Sequence, residues 1–558
     1  MKLPDPETIL GTPKAEAAFL GIAILYASMY RGWGTFQTLL GGVPNLSHVS
    51  FDGVYYAQIA RNILSGDGLG WEATLFPVLQ PILAAAVSYV TGITNIPFIL
   101  SYISQTAGIF CLIPVYFLAR ELYGRKAAAA AVIITIPYPH LVAISSGDTS
   151  ESLYSFLLFL SLYAGYRALS AGSRRLLFLA GLCMGLAYLA RPEGMIVFGV
   201  IFLLAAWRLH TLFSLRESAK GLAVLAAGFL LFALPYMTFL SVSYGRPVFS
   251  NKLIYESMAM KNKVLGDNMR LCDIEGLTDN GEIIWREKGG AGLVLGYFTQ
   301  NPGRFIRAYM GNLKSELPWE VANSSHLEGF PVVYPVYLWL SALLGFAVMF
   351  LDKHKRWVAA LLWAPFINLF VYPVFTAGFW IYHVPYVPIL VILAVGGALF
   401  FVEQVRRRAG VAIPLLLSFV LFWTAYTMYV RFSSAPQKNE GINIKTLISQ
   451  EEMKVGSWGR ENLGTDVTYM ISWSRLVYYL GGRWISMPQD RQDKVEDYAR
   501  RHNVDYLVEE LSGDPDVLMG SRFTKSDTME MSSMYESPAV AYRVIFWRIK
   551  KVGPPGQH

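Results

Sequence analysis

Apolar runs of roughly bilayer-crossing length recur down most of this chain, and they leave it few ways to fold. They lie near residues 17–32, 98–119, 126–143, 151–169, 176–190, 195–207, 220–241, 332–351, 356–374, 384–403 and 411–430. In lipid, every backbone N–H and C=O must be satisfied within the spanning structure, so such runs are expected to form helices. An upright span needs about 20 residues. The shorter runs either stop at a recessed site or continue beyond their apolar stretch. The expected fold class is a polytopic α-helical membrane protein of about 11 spans, up to about 13 on a looser count. Composition agrees, with 54% hydrophobic and 16% charged residues, against about a quarter charged in soluble domains. Disordered, collagen-like and disulfide-scaffold chains are excluded, as is an ordinary cytosolic enzyme. The cysteines Cys111, Cys183 and Cys272 offer neither a disulfide framework nor zinc spacing.

Charge placement sets the orientation. The apolar stretch Leu79–Thr91 is only 13 residues, about 20 Å of helix, and is expected to lie in the interface. With the N-terminus cytoplasmic and the first run retained as an anchor, the inner loops become Arg120–Lys126, Ser170–Arg175, Trp207–Lys220, Asp352–Arg356 and Glu403–Arg408. They carry 14 Lys/Arg against 4 Asp/Glu, as the positive-inside rule requires. An extra span near residue 85 would invert every one of them. Three segments then face outward: a first loop 33–97, a long loop 242–331, and the tail. The expected domains are a membrane domain, 1–430, and an extracytoplasmic α/β domain, 431–558. In the tail, Asp466–Ile471, Asp505–Val508 and Ala541–Ile549 read as strands and Gln492–His502 as a helix. The protein is expected in the cell membrane, with interfacial helices on its outer face.

Four clusters could carry chemistry. Asp52 lies just outside the first span and opens an amphipathic stretch containing Tyr55 and Tyr56; it could meet a polar substrate, or cap the helix. Asp148 and Glu151, three apart, share a helix face. They suit a binding site, a variant of the capping box, or the positive end of the helix dipole. Arg191-Pro192-Glu193-Gly194 sits between two apolar runs. Charge at membrane depth is costly, so Arg191 either binds an anion or pairs with Glu193 to close a hairpin. Tyr382–Pro388 sets His383 among tyrosines: the rings suit an interfacial belt, and the histidine is either a ligand or a satisfied structural residue. There is no Walker loop, HExxH or GxSxG, and the basic loops are too short and dispersed for nucleic acid.

Asp52, Glu151, Leu186–Gly194, the stretch Asn301–Phe305 (NPGRF) and Tyr382–Pro388 appear in the order seen in the GT-C glycosyltransferases. More narrowly, the chain resembles the protein O-mannosyltransferase and aminoarabinose-transferase-like membrane enzymes along nearly its whole length. It differs in having Gly53 after Asp52, where many protein mannosyltransferases have Asp-Glu, and His383 where Arg is common. It also lacks the Trp-Trp-Asp-Tyr-Gly sequence of oligosaccharyltransferases, so en bloc glycan transfer is not the expectation.

The resemblance implies a polyprenyl-phosphate-linked sugar donor and a hydroxyl acceptor on a protein, lipid or envelope glycan. Asp52 would be the general base of an inverting transfer. Asp148 and Glu151 would bind sugar hydroxyls or position Asp52 and a cation. Arg191, with some of Arg246, Lys252, Arg304 and His383, would hold the phosphate, alongside Tyr55, Tyr56, Glu193 and Tyr382 as substrate contacts. The resemblance implies no certain cofactor; outer-face carboxylates could hold a divalent cation. The rival expectations are a transporter or lipid flippase, which would more often show internal repeats, and an envelope assembly protein without catalysis.

Overall fold

The computed structural model describes residues 12–39, 49–250, 260–266, 275–278, 280–281, 283–285, 291–316, 336–375, 382–409, 444–472, 475–512, 521–537 and 542–550. The expected span 411–430, Lys252 and Cys272 lie outside them. The described part of every other expected span is occupied by helix, that of 332–351 beginning at Val336. In chain order the helices are α1 (Pro13–Leu39), α2 (Phe51–Ser65), α3 (Leu79–Thr91), α4 (Ile96–Phe110), α5 (Leu112–Tyr123), α6 (Arg125–Thr135), α7 (Pro139–Ser146), α8 (Glu151–Ala171), α9 (Arg174–Ala190), α10 (Glu193–Leu212) and α11 (Leu215–Ser243). After these come α12 (Ala291–Gln300), α13 (Pro302–Glu316), α14 (Val336–Leu351), α15 (Arg356–Trp363), α16 (Asn368–Val371) and α17 (Val387–Ala409). Five helical stretches among the described residues are long and apolar enough to cross a membrane, or six if the bent pair α6–α7 counts as one.

The chain divides into two compact units. The first comprises residues 1–47, 55–264 and 294–435, and its helix ends follow local chemistry. Gly92, in the left-handed region at φ 71°, terminates α3, and the Asn95 side chain accepts from Phe98 N to start α4. At the α6–α7 break the axis turns by 60°. Pro139 cannot donate a backbone hydrogen bond there, and carbonyls are left over. The buried Arg31 of α1 takes up two of them, donating to Thr135 O at 2.7 Å and Ile136 O at 2.9 Å, and it also donates to Gly108 O of α4 at 3.0 Å. A cation at a helix C-terminus also complements the dipole.

Helices α9 and α11 pack with their backbones nearly touching. A Cβ on Gly181 would meet Leu225 O at 2.1 Å, and one on Gly185 would meet Phe229 O at 2.5 Å. Small residues four apart are the usual device for such crossings in membranes. This contact holds the C-terminal end of α9, and so Arg191, in place.

The second unit comprises residues 48–54, 265–293 and 436–558. Its described helices include α18 (Ile444–Asn462), α19 (Leu476–Leu480) and α20 (Gln492–Arg501). A hairpin, β1 (Glu275–Leu277) with β2 (Ile283–Trp285), belongs to it. A five-stranded sheet is built from β3 (Thr468–Ile471), β4 (Arg483–Ser486), β5 (Tyr506–Ser512), β6 (Met529–Glu536) and β7 (Tyr542–Ile549), in the order β4-β3-β5-β7-β6. The β4-β3-β5 half is parallel, with α19 and α20 in the crossovers that parallel neighbours need, and β5-β7-β6 is antiparallel. Met470, Val495, Leu507, Ile545 and Trp547 form its core. Leu277 packs into that core and donates its N–H to Asp490 at 3.2 Å, so part of the long loop 242–331 folds with the tail rather than with the helices.

Candidate functional site

The stretch Arg191–Gly194 builds the centre of the first unit. Helix α9 ends at Ala190, Arg191 is extended, and Pro192, whose ring fixes φ, leads directly into α10 at Glu193. Arg191 N donates to Ala187 O at 2.8 Å, and Gly194 N to Arg191 O at 3.0 Å. The hairpin is tight enough that a Cβ on Gly194 would come within 2.8 Å of Tyr188 N. Arg191 and Glu193 emerge side by side, with Nη2 3.0 Å from Glu193 Oε1. Arg191 Nη1 pairs with Glu151 Oε1, and the guanidinium carbon lies 4.9 Å from the centre of the Tyr382 ring. The Arg191 side chain is 2% exposed and that of Glu151 1%. One cation therefore sits between two carboxylates. A lipid phosphate would have to displace a carboxylate to reach it, which makes Arg191 the anchor of this cluster. The hairpin pair with Glu193 is present, and Glu151 is the partner that sequence did not reveal.

Glu151 is the first residue of α8, and Ser150 takes the cap position without a side-chain capping bond. Asp148 lies buried ahead of the helix, two residues before the Ser150 cap. Ser150 Oγ is 3.1 Å from Tyr56 OH, and Thr149 O accepts from Ser104 Oγ at 2.6 Å. One turn into α8, Tyr154 meets Tyr386 edge-on at 6.4 Å. Tyr386 OH accepts from Asn368 Nδ2 at 2.7 Å. Tyr372 stacks on Tyr382 at 5.1 Å and meets the buried His383 edge-on at 5.9 Å. Tyr386 is fully buried, so this ring belongs to the interior and not to an interfacial belt.

Helix α2 carries the remaining candidates of the first loop. Its cap is Ser50, whose Oγ accepts from Gly53 N at 2.9 Å, so Asp52 is not the cap; it stands half-buried in the first turn. Tyr55 stacks on Phe76 with ring centres 4.4 Å apart, and Tyr56 is buried beside it. The segment 71–76 is held by α11, through Tyr236 OH to Ala73 O and Tyr244 OH to Thr74 O, both at 2.9 Å. Within it, burial pushes the Glu72 carboxyl up to about 7, against the opposing hydrogen bonds from its own backbone and from Asn62.

Arg191, Glu193, Glu151 and Tyr382 are thus brought together, with His383 one ring further and Tyr56 on the segment adjoining Glu151. Arg246 follows α11, half-buried, its N–H on Ser241 O at 3.0 Å. Arg304 is exposed on α13 and reaches Val264 O at 3.5 Å. Tyr154, Tyr372 and Asn368 join the cluster without having been singled out, and Tyr386 joins it from the expected Tyr382–Pro388 stretch. Tyr154 had a signal, three residues after Glu151 on the same face, and Asn368 was a lone amide in an apolar run. Among the described residues, no three His, Cys, Asp or Glu side chains gather in a way that could hold a metal ion.

Residues 77–238, from the first loop to the end of α11, match the family model of dolichyl-phosphate-mannose-protein mannosyltransferases. No curated protein sequence matches the chain. Among solved structures, the archaeal oligosaccharyltransferase AglB from Archaeoglobus fulgidus, in complex with an inhibitory peptide and a dolichol-phosphate, is similar with a TM-score of 0.54 and 16% identity, covering 88% of this chain and 69% of that one. ArnT from Cupriavidus metallidurans, bound to undecaprenyl phosphate, is similar with a TM-score of 0.51 and 13% identity, covering 97% and 99%. The chain shares the fold of these two solved membrane proteins, and across residues 77–238 it carries the sequence pattern of the dolichyl-phosphate-mannose-protein mannosyltransferase family model.

Proposed function

We propose that the protein transfers a single sugar from a polyprenyl-phosphate donor to a hydroxyl acceptor on the outer face of the membrane. The observation that carries this reading is the charged cluster of Arg191, Glu151 and Glu193, held at the start of α8 and α10 in a chain with this fold. In a membrane unit, buried charge is retained for function more often than for stability. Tyr56 joins α2, whose first turn carries Asp52, to the same segment.

In the proposed reaction, the Asp52 carboxylate accepts the proton of the acceptor hydroxyl. The hydroxyl oxygen attacks the anomeric carbon, the bond from that carbon to the phosphate oxygen breaks, and the lipid phosphate leaves with the electron pair. Configuration inverts. A phosphate leaving group needs little protonation, so one base and cationic stabilisation suffice, whereas glycosidases use two carboxyl groups. Arg191 is read as a positioning residue for Glu151 and Glu193, with Asp148 and Glu151 toward the sugar hydroxyls. The phosphate contact is assigned to the outer-loop cations Arg246, Lys252 and Arg304.

The test is sugar transfer by Asp52→Asn in detergent, with a polyprenyl-phosphate sugar as donor. Loss of a positioned base costs about 10²- to 10⁴-fold in turnover. Wild-type turnover by folded D52N rules out the base assignment.

A further inference from the structure

At the far end of α10 from the Arg191 cluster, a cavity of about 200 Å³ is lined by Glu121, Tyr166, Arg208, His354, Lys355 and Trp357, among others. Arg208 lies fifteen residues beyond Glu193, about 22 Å along the helix at ~1.5 Å per residue. These residues belong to, or adjoin, the basic loops that the charge pattern assigns to the cytoplasmic face.

The cavity is short of negative charge. Its one carboxylate, Glu121, is already taken by Arg167 at 2.8 Å and Arg120 at 3.5 Å. The nearby Asp352 is spent on its own turn, accepting from His354 N at 2.9 Å. Arg208 has no acidic partner among the described residues. Its guanidinium lies 5.1 Å from the centre of the buried Trp357 ring, and Tyr166 stacks on the same ring at 5.7 Å. That packing holds the guanidinium in one place. Its Nε–H is buried with no hydrogen-bond partner among the described residues, which is rare in folded proteins. Lys355 and His354 are exposed at the rim.

A planar guanidinium with an open N–H fork and a second cation beside it suits phosphate oxygens. The volume equals roughly seven waters at about 30 Å³ each, enough for a headgroup but not for a peptide segment. Trp207, the residue before Arg208, is exposed, as is Leu203 one turn earlier. An exposed tryptophan beside a basic cluster marks the membrane interface, so the ligand arrives from the lipid. We infer that this cavity binds the phosphate headgroup of an anionic phospholipid, with Arg208 as its principal ligand and Lys355 as the second charge. Basic pockets between membrane helices on the cytoplasmic side are suited to such headgroups.

The test is thermal unfolding of the full chain in detergent with added phosphatidylglycerol, phosphatidylcholine or inorganic phosphate. A ligand that binds the folded state raises the midpoint. Phosphatidylglycerol is expected to raise it and phosphatidylcholine to leave it unchanged, with Arg208→Gln and Lys355→Gln each losing at least half of the shift. An equal rise with inorganic phosphate assigns the same site to a free phosphate-type anion, and no rise with it assigns the site to lipid. Should R208Q not fold, K355Q, at an exposed position, carries the comparison alone. A wild-type midpoint indifferent to both phosphate ligands, or variants that keep the full shift, overturns the inference.

Discussion

Arg191 and Glu151, forty residues apart in sequence, form an ion pair from which water is almost wholly excluded. Glu193 completes the group at 3.0 Å. Desolvating these charges is expensive, and their mutual attraction offsets that cost only while all partners are present. Arg191→Met is therefore expected to lower stability by about 3–5 kcal/mol, because it leaves two carboxyl groups facing each other in the interior. Glu151→Gln should cost less, since Arg191 keeps Glu193. The double variant R191M/E151L should recover part of the loss. Denaturant unfolding in detergent checks the series; an R191M protein as stable as wild type would show that the pair does not support the fold.

The α9–α11 crossing gives a second prediction. Gly185→Ala places a methyl group 2.5 Å from Phe229 O, and backbone cannot yield as a flexible side chain does. The two helices must separate, with an expected loss of about 1–3 kcal/mol. Because α9 runs straight into Arg191, turnover should fall along with the unfolding midpoint. Gly199→Ala, with nothing within 4 Å of its added carbon, is the matched control and should leave both unchanged.

The apolar runs made the helical membrane unit legible, because bilayer length and backbone satisfaction leave little choice. The strands at Thr468–Ile471, Tyr506–Ser512 and Tyr542–Ile549 were visible as β-branched and aromatic runs in a polar tail. Leu277 was not legible as part of that tail's core: its partners lie some two hundred residues away, and three-residue strands leave no periodicity to read. At the site, the tight turn at Arg191 was readable from Pro192 and Gly194, and Glu193 as a partner followed from proximity. Glu151 as the second partner could not follow, since nothing local ties α8 to the α9–α10 turn. Asp52 shows the limit in the other direction: an acid at a helix start suits a cap, yet Ser50 two residues earlier takes that role, and both residue types are good caps.

Glu72 predicts a pH dependence. Burial raises its carboxyl from 4.5 to about 7 in the folded protein. Between those values the unfolded chain has released the proton and the folded chain still holds it, so stability falls as pH rises. The contribution is fully present below about pH 4.5 and is lost by about pH 7. At about 1.36 kcal/mol per pH unit, the loss is roughly 3 kcal/mol. Glu72→Gln has no proton to release and should flatten the stability profile across that interval. Unfolding midpoints of wild type and E72Q from pH 4.5 to 7.5 check this; parallel profiles would mean that Glu72 titrates normally.

Tyr56 offers a way to separate positioning from binding. Its hydroxyl meets Ser150 Oγ at 3.1 Å, with both side chains buried. Tyr56→Phe removes the hydrogen bond to Ser150 and leaves the serine hydroxyl to find another partner, a cost of about 1 kcal/mol. The ring stays, so its edge-on contact with Phe76 at 6.2 Å survives. If α2 holds the proposed base in a fixed position, loosening that tie moves the carboxylate by a fraction of an ångström. Misplacement on the 1 Å scale can cost about 10²-fold, so a drop of about tenfold in kcat is expected. Affinity for polyprenyl phosphate should be unchanged, because no phosphate contact is touched. Single-turnover transfer alongside equilibrium binding of the lipid phosphate separates the two quantities. Weakened lipid binding with unaltered turnover would place Tyr56 in the donor site and remove it from the positioning of Asp52.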